Sequence, residues 1–200
     1  MASRHPAALT MSHWEEKYRA STTPWDRGES SPALHEWLAS GVLRPGAVLI
    51  PGCGRGHEAL DLARAGFQVT ALDIAPTALK LLQAQLDRAG LSAELVCADA
   101  LDWHPAAPFD AIYEQTCLCA LDPGHWPDYE RQLHAWLKPG GLLCALFMQT
   151  GRAGGPPHHC GLPDMRALFR EDRWTWTEQP HQQVPHPDGI FENTAVLGRR

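Results

Sequence analysis

The sequence predicts an α/β fold, a mostly parallel sheet with helices on both faces and an antiparallel hairpin near its C-terminal end. Three observations predict it. Short apolar runs alternate with stretches of helical periodicity from Ala47 to Met148, as repeated βα units do. The first run, Val48-Leu-Ile50, passes straight into Pro51-Gly-Cys-Gly-Arg-Gly56. The next run ends on Asp73.

In chain order, Ala47–Ile50 reads as a strand and Glu58–Ala65 as a helix ended by Gly66. Gln68–Asp73 is the second strand, with Val69 and Ala71 apolar. Pro76 suits the first turn of a helix, where its missing N–H has no partner to lose. That helix runs to about Ala89, with Leu79, Leu82 and Leu86 on one face and Gly90 after it. Ala93–Asp99 and Phe109–Glu114 are the third and fourth strands. Trp126–Leu137 is a helix, followed by Lys138-Pro-Gly-Gly141 and the fifth strand, Leu142–Met148. Trp174–Glu178 and Asn193–Leu197 alternate as a closing hairpin does. Cys117 and Cys119 are expected to alternate on a strand and face one side. With no internal repeat and no linker, residues 1–200 read as one domain.

Composition excludes several functions. Two hundred residues, 44% of them hydrophobic, suit one globular domain with a sizeable core. A formal net charge of -6 without any Lys/Arg run argues against nucleic-acid and membrane-surface partners. The longest apolar stretch, Gly141 to Met148, is too short to span a bilayer. Residues 1–10 lack the apolar core of a secretion signal. A cytoplasmic monomer is expected. Six cysteines read as buried structural thiols, and Cys117-x-Cys119 is not the redox spacing. The histidines and Cys160 show no recognised ligand spacing, so no metal is expected.

The glycine run carries the chemistry. Gly52, Gly54 and Gly56 let a ligand lie against the backbone, beside the N–H groups that open the next helix. Asp73 can accept hydrogen bonds from two ribose hydroxyls. A nucleoside-containing cofactor is implied. A dinucleotide site would want a third glycine at position 57, where His57 stands. A dinucleotide site and a ligand-free turn stay as alternatives on these residues alone.

Longer motifs add a resemblance. Thr23-Pro-Trp-Asp-Arg-Gly28, Ser31-Pro-Ala-Leu34 and Pro51-Gly-Cys-Gly-Arg-Gly-His57 resemble thiopurine S-methyltransferases, especially their halide and thiol methyltransferase subgroup. Glu114-Gln-Thr, Cys119-Ala120, Lys138-Pro-Gly-Gly141 and Gly154-Gly-Pro-Pro157 extend the likeness to nearly the whole chain. The resemblance implies a Rossmann-like class I methyltransferase with a seven-stranded sheet and S-adenosylmethionine as methyl donor. Residues 1–45 would form a helical lid, its aromatic roof being Trp14, Tyr18 and Trp25. Gly52, Gly54 and Gly56 would cup the methionine part, and Asp73 the ribose. Asp99 and Ala100 would flank the adenine, and Gln115 would sit near the transferred methyl. Trp25, Cys119, Pro156, Pro157 and His158 would wall a small thiol or halide acceptor. The chain departs from the family at Tyr18, at Cys117-Leu118 and at His158.

Such a reaction is an in-line displacement at a sulfonium methyl, helped by positioning and by a water-poor site. His158 is the candidate catalytic residue, taking a thiol proton when neutral or holding an anion when charged. The aromatic segment before Ser30 is expected to order with the donor.

Overall fold

The computed structural model describes residues 11–178, 181–186 and 189–200. Two helices come first, α1 (Met11–Arg19) and α2 (Pro32–Ala39). The βα units follow as β1 (Ala47–Pro51), α3 (His57–Arg64), β2 (Gln68–Asp73), α4 (Pro76–Ala89), β3 (Glu94–Cys97) and β4 (Phe109–Gln115). The chain closes through α5 (Trp126–Trp136), β5 (Leu137–Gln149), α6 (Leu162–Leu168), β6 (Trp174–Trp176), β7 (Gln183–Pro185) and β8 (Phe191–Arg199).

Seven strands lie in the order β3-β2-β1-β4-β5-β8-β6, and the short β7 also pairs with β8. The first five are parallel, and β8 runs antiparallel to β5 from Leu142↔Gly198 to Gln149↔Phe191. The expected hairpin partners do pair, Trp174↔Arg199 through Trp176↔Leu197. The strand β7 comes between them in sequence and takes the other end of β8. Central strands are apolar on both sides because helices cover both faces. One face packs Leu34, Trp37, Leu62 and Leu82 from α2, α3 and α4. The other packs Tyr129, Trp136 and Met165 from α5 and α6. Among the described residues no helix is long and apolar enough to cross a membrane.

Pro76 and Gly90 behave as their chemistry dictates: Pro76 opens α4, and Gly90 ends it at φ 63. Four expectations need correction. β5 begins at Leu137, before the Pro-Gly-Gly segment, because Leu137 pairs with Phe109 across a bulge. Lys138 Nζ also meets Asp110 Oδ1 at 2.7 Å. β3 is shorter than Ala93–Asp99, since Asp99 Oδ1 turns back to accept from Leu101 N at 2.9 Å. Cys117 and Cys119 are not on a strand. Thr116 takes φ 63, so β4 stops at Gln115 and the chain coils into a 3-10 turn, Leu118–Ala120. Finally, α2 is core and not lid: Ala33, Leu34 and Trp37 are buried, and Trp37 packs edge-on against Tyr113 at 5.9 Å. All six cysteines are free; Cys97 alone is exposed.

Candidate active site

The carboxyl ends of the parallel strands converge beneath α1, where open α/β sheets bind ligands. A cavity of about 410 Å³ opens there, large enough for a nucleoside-sized ligand. Gly52 forms part of its floor at φ +61, and a Cβ there would stand 3.0 Å from that of Cys117. Leaving out that carbon keeps the cradle open. Asp73 sits beside it. Its Oδ2 accepts from Gly54 N at 2.9 Å and its Oδ1 from Ala75 N at 2.8 Å. Burial lifts this carboxyl to about 6 against those bonds. Each oxygen keeps accepting capacity for a hydroxyl. Asp99 and Ala100 line the same cavity after β3.

Trp14, Tyr18 and Trp25 all line the cavity. Trp14 and Tyr18 share a face of α1, four residues apart. Trp25 meets both edge-on, with centroids 5.4 and 5.9 Å away. This roof is pinned by protein contacts. Glu15 accepts from Thr77 N at 2.9 Å and from Thr77 Oγ1 at 2.6 Å, capping α4. Asp26 holds Arg55 Nε at 2.7 Å and His57 Nε2 at 2.9 Å. The anchors of residues 11–28 are α4 and the glycine loop. Glu15 makes the contact to α4.

Cys119, Met148, Pro156, Pro157, His186 and Ile190 close the opposite end. His158 is not among the residues lining it. Its backbone N donates to Cys119 O at 2.8 Å. Its ring packs against Gly155, where a Cβ would lie 2.5 Å from the ring. His159 Nδ1 accepts from Thr150 N at 3.1 Å and from Gly151 N at 3.2 Å. Both histidines therefore shape the loop. His186 reaches the cavity instead, brought in by the bond from its N to Ile190 O at 2.9 Å. Its sequence carries no signal for that role.

A smaller chamber of about 60 Å³ adjoins the glycine loop, lined by Asp26, Arg27, Gly54, Gly56, Glu58 and Gln115 among others. Tyr18, Trp25, Gly52 and Thr116 line both spaces, so the two meet there. Gln115 faces this chamber.

The family model for thiopurine S-methyltransferase matches residues 9–196. The chain belongs to the thiopurine S-methyltransferase family. A probable thiol methyltransferase 2 of Arabidopsis thaliana is 32% identical over 159 residues, covering 78% of this chain and 70% of the relative. A thiopurine S-methyltransferase of Xanthomonas euvesicatoria is 26% identical and covers 92% of this chain and 93% of its own. Among solved structures, a Burkholderia thailandensis 1,6-didemethyltoxoflavin-N1-methyltransferase, bound to S-adenosylhomocysteine, superposes with a TM-score of 0.74. It is 22% identical, covers 94% of this chain and 86% of that one, and shares the fold. The protein is an S-adenosylmethionine-dependent methyltransferase of the class I, Rossmann-like fold. The open cradle at Gly52 and the spare acceptors on Asp73 fit that donor.

Proposed function

We propose that this methyltransferase acts on a small, largely apolar thiol. The apolar end of the cavity carries the reading: Cys119, Met148, Pro156, Pro157 and Ile190, with Trp25 from the roof and His186 as a polar group. The bound donor supplies a methyl on a positively charged sulfur, already an activated leaving group. The rest of the work is positioning and drying. Asp73 holds the ribose, Asp99 and Ala100 flank the adenine, and Gly52, Gly54 and Gly56 run along the methionine part. Arg27 and Gln115 in the chamber take the amino-acid end. Trp14, Tyr18 and Trp25 exclude water, and their faces attract a cation. A thiol ionises near ~8.5, so a few per cent is thiolate at neutral pH. No dedicated base is needed, and His158 acts through its backbone. The thiol methyltransferase of Arabidopsis, by name, supports a sulfur acceptor.

The test is a panel of thiols, iodide, thiocyanate, tellurite and small amines, read by release of S-adenosylhomocysteine. A thiol should lead by about tenfold or more in kcat/KM. Preference for a halide, a metalloid anion or an amine overturns the thiol reading. Donor binding with no turnover on any acceptor would make the chain a binding module.

A further inference from the structure

Four residues line both the large cavity and the smaller chamber: Tyr18, Trp25, Gly52 and Thr116. Gly52 brings no side chain, and Tyr18 and Trp25 bring aromatic rings from the roof. The Tyr18 hydroxyl is turned to the glycine loop, where a Cβ on Gly54 would stand 2.9 Å from it. Of the four, Thr116 alone brings an aliphatic hydroxyl. Its backbone takes φ 63, a genuine outlier for a β-branched residue. Glycine would adopt that φ without strain, yet threonine stands there. Strain of this kind persists only where the surroundings enforce it, and it clusters at active sites.

The hydroxyl is committed in one direction. Thr116 Oγ1 donates to Gln115 O at 2.7 Å, which uses its single proton and leaves lone pairs over. The Thr116 carbonyl is engaged as well, accepting from Cys119 Sγ at 3.4 Å. With these bonds in place, Oγ1 meets whatever enters the junction as an acceptor. The donor's sulfur joins its ribose to its methionine chain. With the ribose on Asp73 in the large cavity and the amino-acid end in the chamber, sulfur and methyl fall where the two spaces meet. The positive sulfur polarises the methyl C–H bonds, and polarised C–H bonds donate weakly to oxygen.

We infer that Thr116 Oγ1 holds and orients the transferred methyl at the junction of the two spaces. The methyl C–H bonds spread to the sides of the line from sulfur through carbon to acceptor. An oxygen at that side steers the methyl without blocking attack. The acceptor–carbon bond then forms, and the carbon–sulfur electron pair returns to sulfur. The contact is made before transfer and kept during it, so its work is orientation. S-adenosylhomocysteine has no such methyl and makes no such contact, so Thr116 also favours donor over product. This rests on the donor placement and not on the identity of the acceptor.

S-adenosylmethionine isotopically labelled at its methyl carbon reports the contact by NMR, and calorimetry gives the Kd of donor and product. The methyl proton signal of the donor bound to the wild-type chain should lie downfield of that in Thr116→Val and Thr116→Gly. Thr116→Ser, which keeps the oxygen, should restore it. The ratio of product Kd to donor Kd should fall about two- to fivefold in Thr116→Val and Thr116→Gly and hold in Thr116→Ser, as expected for one weak hydrogen bond. Thr116→Gly also relieves the positive φ, so its urea midpoint should equal or exceed that of the wild type. A stable variant that loses the contact separates this role from one in shaping the end of β4. An unchanged methyl shift or an unchanged Kd ratio in Thr116→Gly overturns the inference, as does equal weakening of both ligands. If Thr116→Val does not fold, Thr116→Gly and Thr116→Ser decide. Donor affinity unaltered in Asp73→Asn would overturn the donor placement and the inference with it, a result distinct from an unchanged ratio at Thr116.

Discussion

The two ends of the cavity are built in different ways. The end we assign to the donor comes from turns that directly follow parallel strands: Gly52 after β1, Asp73 at the end of β2, Asp99 and Ala100 after β3. Its geometry is fixed by backbone, as in the bonds from Gly54 N and Ala75 N to Asp73. The end we assign to the acceptor is gathered from Met148 at the tip of β5, from Pro156 and Pro157 in a loop, and from His186 and Ile190 between β7 and β8. There the walls are mostly side chains on connecting segments. A fold built this way can keep one donor while its loops change the acceptor.

Gly56→Ala should break the donor end most severely. Gly56 sits at φ +74, and a Cβ there would stand 2.4 Å from Leu82 Cδ1 on α4. Clash and backbone strain together should cost about 3 kcal/mol or more, seen as a lower midpoint in urea. Donor binding should fall with it. A variant of wild-type stability would show that close packing of the loop on α4 does not set the donor end.

Asp73→Asn comes next. It weakens the charge-assisted bonds to a ribose and those that hold Gly54 N and Ala75 N. Donor affinity should fall roughly tenfold to a hundredfold, about 1.5–3 kcal/mol, with the acceptor KM nearly unchanged. Unaltered affinity by calorimetry would remove Asp73 from the donor site. Ile190→Ala tests the other end with a smaller effect. The acceptor KM should rise by about tenfold, as expected when an apolar pocket wall is cut back, while donor Kd stays constant. A shift in donor Kd would mean that the two ends are not separable.

The same contrast governs what was legible in the sequence. Gly52, Gly54, Gly56 and Asp73 stand at short fixed spacings between periodic segments, so their placement follows from local rules. Thr116 gave no warning of its positive φ, and that one residue ends β4 and turns the Cys117–Cys119 segment away from a strand. Lys138-Pro-Gly-Gly141 hid the start of β5, because pairing with Phe109 across a bulge is a tertiary preference. Glu58, Glu114 and Glu192 were missed for a physical reason: a carboxylate in sequence reads as solvated, and its burial depends on what folds over it. His186 reaches the cavity through a bond to Ile190 that leaves no mark in composition or spacing.

Those buried carboxyls make the stability of the free chain depend on pH, and Asp73 and Glu192 should titrate in different ranges. Burial lifts Asp73 to about 6, Glu114 to about 7 and Glu192 to about 8. In an unfolded chain such groups ionise near ~4. Above that pH the folded chain binds more protons than the unfolded one. Their contribution is therefore complete below about pH 4 and is lost as pH rises through about 6 to about 8. The melting temperature should fall by roughly 5 °C or more across that range, measured by scanning calorimetry without ligand. Asp73→Asn should flatten the lower part of the fall and Glu192→Gln the upper part. A melting temperature that rises with pH would mean that these carboxyls keep ordinary pKa values. It would also mean that the surroundings of these carboxyls are wetter than their burial indicates.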